Sequence, residues 1–78
     1  MNELDNKILE VMSLVFEVPV SELNEESSQD TIESWDSVKH LNLIVALEEE
    51  FGIEIPIDEV GNMISFKLIR LIVGDLIA

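Results

Sequence analysis

The chain has 78 residues, 47% of them apolar, and a net charge of −13 from 17 acidic and 4 basic side chains. That length accommodates one domain over residues 1–78, burying about 60% of its unfolded surface, and the apolar share argues against disorder. The charge excludes nucleic acid and anionic membranes, whose phosphates are held by clustered Lys and Arg, and it favours a basic protein partner drawn in by long-range attraction.

The opening stretch "MNELDNKILEVMS" lacks the basic start and apolar core of a secretory signal. Within it, Leu4, Ile8, Val11, Met12 and Val15 recur at steps of three and four, which predicts a helix over residues 3 to 17. Pro19 closes that helix from beyond its end. Residues 18 to 36 show no sustained period and read as a long loop, with Val18, Val20, Leu23, Ile32 and Trp35 as apolar pins to the core.

A second helix is predicted from Ser37 to Phe51, entered through Asp36 as N-cap and ended by Gly52 in the left-handed conformation. Its apolar face reads as Val38, Leu41, Ile44, Val45, Leu47 and Phe51, with Asn42 and Glu48 to Glu50 outside it. "IEIPID" is an extended link with Ile53 and Ile55 turned inward, and Pro56 opens a short third helix that Gly61 ends. From Ser65, an N-cap candidate, Phe66, Ile69, Val73 and Leu76 step through a last helix interrupted by Gly74. Even its apolar run "FKLIRLIVGDLIA" is broken by Lys67, Arg70 and Asp75, so no segment reaches the ~20 apolar residues that span a bilayer. The expected fold is all-α, a small bundle of three main helices and a short third one. The expected chain is free-standing, monomeric and cytoplasmic.

Without cysteine there is neither a disulfide framework nor a zinc–thiolate site. The one histidine, His40, follows Ser37 by three residues, which raises the question of a hydrolytic triad with Asp36. On one helix adjacent residues point to different faces, so Asp36 cannot orient His40 while His40 activates Ser37. Calcium-loop and phosphate-loop patterns are absent. No active site is expected.

Two features remain open on physical grounds alone. Asp36 and Ser37 can be simply a helix entrance, or Ser37 can carry a phosphate ester, favoured at the positive end of a helix dipole by ~0.3–1 kcal/mol. Glu48, Glu49 and Glu50 crowd a helix C-terminus, where negative charge is disfavoured, so helix stability does not explain them. They are either a solvated face or a docking surface for a basic partner.

The stretch "WDSVKHLNLIVALEEEFGIEIP", residues 35–56, resembles the centre of an acyl carrier protein. In that family an Asp-Ser-Leu-type tripeptide opens the second helix, followed by an apolar run, an acidic "LEEEF" segment and an "I-x-I-P" turn. The flanking helices and loop agree, so the resemblance spans nearly the whole chain. It implies a small four-helix bundle with a long loop between its first two helices. It also implies that a phosphopantetheinyl transferase moves 4′-phosphopantetheine from coenzyme A to the Ser37 hydroxyl, with Asp36 helping to present that serine. The arm's terminal thiol would hold acyl groups as thioesters, in keeping with a chain that has no cysteine of its own. Val38, Lys39, Glu48, Glu49 and Glu50 would form the docking surface for loading ligases or acyltransferases and for condensing or transferring enzymes with basic patches. Aminoacyl and peptidyl carriers share the architecture, and an unmodified acidic interaction module is a further alternative. Ser34 and Trp35 stand where many members have glycine and a small residue, and Lys39 and His40 replace acidic or neutral positions. These departures point to a specialised biosynthetic pathway rather than housekeeping fatty-acid synthesis.

Overall fold

A computed structural model describes residues 2–78; Met1, where the sequence reading begins, lies outside the described residues. Helix α1 runs from Glu3 to Phe16, α2 from Ser37 to Phe51, α3 from Ile57 to Val60 and α4 from Phe66 to Ile77. A single 3₁₀ turn, Val20–Glu22, interrupts the long loop between α1 and α2. Among the described residues there is no strand, only one isolated antiparallel bridge between Ser28 and Ser65. No helix among them is long and apolar enough to cross a membrane.

Each main helix begins on a side-chain cap. Asn2, Asp36 and Ser65 accept hydrogen bonds from the amides of Asp5, Lys39 and Leu68, satisfying donors that have no partner inside the helix. Helix α1 stops one residue earlier than its apolar pattern suggests. Glu17 takes the left-handed conformation, with φ 58°, and its amide donates to the Ser13 carbonyl. Gly52 ends α2 in the same way at φ 62°. No atom lies within 4 Å of where its Cβ would stand, so backbone conformation and not crowding requires glycine there. Pro56 precedes α3 as its cap residue instead of lying in its first turn, and Gly61 follows as expected.

The core forms where α1, α2 and α4 meet. Ile8, Met12 and Phe16 from α1, Leu43 and Leu47 from α2, and Phe66, Ile69 and Val73 from α4 are fully or almost fully buried. Leu23, Ile32 and Trp35 pin the long loop to this core, as does Ile55 from the link after α2. Val20 does not, because the 3₁₀ turn leaves it exposed.

The apolar face of α2 needs a larger correction. Periodicity assigns Val38, Leu41 and Val45 to the core side, yet they are 67%, 60% and 53% exposed. The buried residues are Leu43, Ile44 and Leu47. Eight apolar residues between 38 and 51 cover more of the helix than one packed face can bury, so they divide into an inner and an outer stripe.

A polar strut crosses the bundle. Asp5, only 4% exposed, accepts from Arg70 Nη1 across 3.2 Å, which ties the first turn of α1 to α4. Arg70 also lies 3.8 Å from Glu25 and stacks over the Phe66 ring, with 5.5 Å to the centroid.

Candidate functional site

Ser37 is the first residue of α2, and the capping geometry of the residue before it fixes its place. Asp36 has extended backbone, its Oδ1 accepts from the Lys39 amide at 2.8 Å, and its carbonyl accepts from the His40 amide at 2.8 Å. The amides of Ser37 and Val38 have no intrahelical partner and belong to the same first turn as the serine hydroxyl. Asp36, Ser37 and Val38 are all exposed. The hydroxyl of Ser37 enters no hydrogen bond with any described residue, although the side chains of Trp35 and Asp36, which lead into it, are engaged.

The backbone leading to Ser37 is held from several directions. Trp35 is buried, its ring centroid 4.6 Å from that of Phe16 at the end of α1. Ser34 Oγ donates to the Phe16 carbonyl at 2.8 Å, and the Asp36 amide donates to the Ser34 carbonyl at 3.0 Å. The Trp35 indole N–H donates to His40 Nδ1 at 3.0 Å. An indole can only donate, so Nδ1 must be the acceptor, and Nε2 carries the proton that it gives to the Val60 carbonyl 2.7 Å away. His40 is therefore joined to Trp35 and Val60, which leaves no part for it as a base toward Ser37.

The remaining sequence-predicted residues divide into two ends of α2. Lys39 sits beside Ser37 in sequence, but its ammonium is turned to Glu17 at 3.0 Å. Glu48, Glu49 and Glu50 lie about three turns away, some 17–20 Å along the axis at 1.5 Å per residue. The structure does not bring them to the serine. Nor are the three alike. Glu48 is half-buried and its Oε2 accepts from the Ile55 amide at 2.9 Å, holding the link between α2 and α3. Glu49 and Glu50 are exposed, and Glu50 lies 3.9 Å from Lys7.

Between these ends runs the outer stripe, in which the expected docking residue Val38 is joined by Leu41 and Val45, assigned by periodicity alone to the core face. Val38, Leu41 and Val45 follow one another at steps of three and four, and Glu49 continues the row. Ile57, at the start of α3, is the most exposed large apolar side chain at 88%. An over-full apolar face in α2 was the signal in the sequence for the stripe. Ile57 follows a proline and carries no periodicity, so nothing marked it. No group of three or more described His, Asp or Glu residues could hold a metal ion.

The structure thus presents an exposed serine at a capped helix start, on a backbone held by the bonds of Ser34 and Trp35. Comparison with known proteins bears on the family. No protein-family model matches the chain. An acyl carrier protein of Acidothermus cellulolyticus is 34% identical over 61 residues, covering 78% of this chain and 73% of that protein. The chain belongs to the acyl carrier protein family. The solution structure of holo acyl carrier protein from Geobacter metallireducens superposes with a TM-score of 0.81 at 26% identity, covering 92% of this carrier and 83% of that chain. As a member of this family the carrier is not an enzyme, and membership implies a covalently bound 4′-phosphopantetheine. Its residues fit that group, since Ser37 offers a free, exposed hydroxyl and the first-turn amides offer donors to a phosphodiester.

Proposed function

We propose that this carrier holds acyl groups as thioesters on a 4′-phosphopantetheine arm attached to Ser37 and passes them between enzymes of a specialised biosynthetic pathway in the cytoplasm. The observation that carries the reading is the exposed, unbonded hydroxyl of Ser37 at the capped start of α2. In the attachment, the Ser37 oxygen forms a phosphodiester with the pantetheine-side phosphorus of coenzyme A. The pyrophosphate bond breaks, the nucleotide 3′,5′-bisphosphate leaves, and the serine proton goes to a base of the transferase. Asp36 holds the serine at the mouth of the helix through its bond to the Lys39 amide. The bound arm supplies a terminal thiol, which the chain itself lacks.

Docking of the transferase, of loading ligases or acyltransferases, and of condensing or transferring enzymes is proposed along the outer face of α2. Val38, Leu41 and Val45 provide an apolar row that starts beside Ser37, and Glu49 and Glu50 provide the acidic end that suits a basic patch. Lys39 and Glu48 contribute less to such a surface, because both are engaged within the molecule, and Glu50 shares its charge with Lys7 at 3.9 Å, which leaves Glu49 as the main acidic contact. The specialised pathway is supported by Ser34, Trp35, Lys39 and His40, which depart from the family pattern around Ser37.

The test is intact mass after incubation with coenzyme A and a broad-specificity phosphopantetheinyl transferase. The wild type should gain one phosphopantetheine and Ser37→Ala none. An unmodified wild type, or a modified alanine variant, would overturn the assignment. The mass of carrier isolated from its own cell then separates an acyl from an aminoacyl cargo.

A further inference from the structure

The chain contains one histidine and one tryptophan, and they are bonded to each other. Trp35 sits two residues before Ser37 and His40 three residues after it, so the bond closes a short bracket around the serine. The bracket is anchored at both ends. Trp35 packs on Phe16, which fixes it to the end of α1, and His40 Nε2 is bonded to Val60, the last residue of α3. Helix α3 is four residues long and has no buried residue of its own. A one-turn helix of this kind has little intrinsic stability, since nucleation is costly and only packing repays it. Val60 packs against the core and Ile55 and Met63 on either side are buried, and the bond to His40 adds a directional tie between α3 and α2.

We infer that His40 is a positioning residue for the modification of Ser37: its imidazole, accepting at Nδ1 and donating at Nε2, couples the entrance of α2 to α3 so that a docking enzyme meets Ser37, the apolar row and α3 in one fixed arrangement. The inference rests on Ser37 as the site of attachment. The chemistry requires both ring nitrogens, one accepting from Trp35 and one donating to Val60. Phenylalanine would keep the ring and lose both bonds. Glutamine places a carbonyl oxygen and an amide nitrogen at nearly the separation of the two ring nitrogens, so it can keep both.

A loosened entrance reduces the fraction of molecules in the competent arrangement, and that raises the apparent KM of the transferase for the carrier while leaving kcat in place. Initial rates of phosphopantetheine transfer should show His40→Phe with a KM raised about fivefold or more, the equivalent of one net hydrogen bond, and His40→Gln within about twofold of wild type. Nitrogen-correlated NMR of the imidazole in the full chain should report the Nε2–H tautomer at neutral pH. Exchange of the Trp35 indole proton should be slowed at least tenfold relative to free indole. A His40→Phe variant as good a substrate as wild type would overturn the inference, as would a His40→Gln variant as poor as His40→Phe. If His40→Phe does not fold, the NMR measurements on the wild type decide: an Nδ1–H tautomer or an unprotected indole proton overturns the inference. A wild type that takes no arm removes the Ser37 reading and this inference with it; a modified wild type with unaffected variants removes only the inference.

Discussion

Replacing Arg70 by leucine should cost far more than replacing the residue it binds. Asp5 is 4% exposed, and its Oδ2 has Arg70 as partner at 3.2 Å, while its other carboxylate oxygen is buried with no hydrogen bond to any described residue. Removing the guanidinium strands a buried carboxylate. Breaking a fully buried ion pair from one side costs ~3–5 kcal/mol. The guanidinium here is about one-third exposed, so solvent already screens part of the pair and ~2–3 kcal/mol is the better figure. The loss of its stacking on Phe66 adds ~0.5 kcal/mol. For a chain of this length, total stability is on the order of 4–12 kcal/mol, so the variant gives up a large share of it. Asp5→Leu removes the buried charge instead and leaves Arg70 free to face Glu25 and water, which should cost under ~1 kcal/mol. The double variant Asp5→Leu/Arg70→Leu should recover most of the deficit of Arg70→Leu. Urea denaturation followed by helical circular dichroism measures all three. With a slope near 1 kcal/mol/M, Arg70→Leu should lower the midpoint by about 2–3 M. Equal losses for the two single variants would refute the reasoning, since the stranded charge would then not be the cause.

Three further outcomes follow from geometry already described. Glu48→Ala should destabilise by ~1.5 kcal/mol, because the Ile55 amide loses a charged acceptor, whereas Glu49→Ala should stay within ~0.5 kcal/mol; equal urea midpoints would contradict the distinction. Gly74→Ala should raise stability by ~0.5–1 kcal/mol, since the position is helical and the new Cβ would meet only Leu4 Cδ2 at an ordinary 3.9 Å; a lower thermal midpoint would argue that the contact is tighter. Leu41→Ser should leave the urea midpoint within ~0.5 kcal/mol of wild type but raise the transferase KM, and an unchanged KM would take Leu41 out of the docking row.

Local chemistry made much of the fold readable. The caps at Asp36 and Ser65, the left-handed Gly52 and the pinning roles of Leu23, Ile32 and Trp35 all follow from residue type and immediate neighbours. Ser37 was readable only with the family pattern, because an Asp-Ser helix start has the same local physics whether or not it bears an arm. What the sequence could not show depends on contacts across the chain. Asp5 looks like an ordinary first-turn acid until Arg70, 65 residues later, meets it in the interior. His40 looks like a solvated residue of α2 until Trp35 and Val60 close on its two nitrogens. Val38, Leu41 and Val45 obey the same periodicity as a core face, and only the placement of α1 and α4 decides which of two apolar stripes is covered. Glu48 is separated from its neighbours by a bond to a backbone amide seven residues on.

The seam between the long loop and the start of α4 has a bearing on the order in which the molecule is assembled. The Gln29 amide donates to the Ile64 carbonyl and the Phe66 amide to the Ser27 carbonyl, and from Ser28 onward turn bonds run through Ile32 to Trp35 at the door of α2. Contacts between residues so far apart in sequence carry a loop-closure cost and form after local ones. A nascent chain that has not yet exposed residues 64 to 66 can therefore build α1 and α2, but it lacks the clamp on the segment leading to Ser37. A transferase that reads the finished entrance would thus be reading, at one serine, whether the chain through the start of α4 has been made and folded.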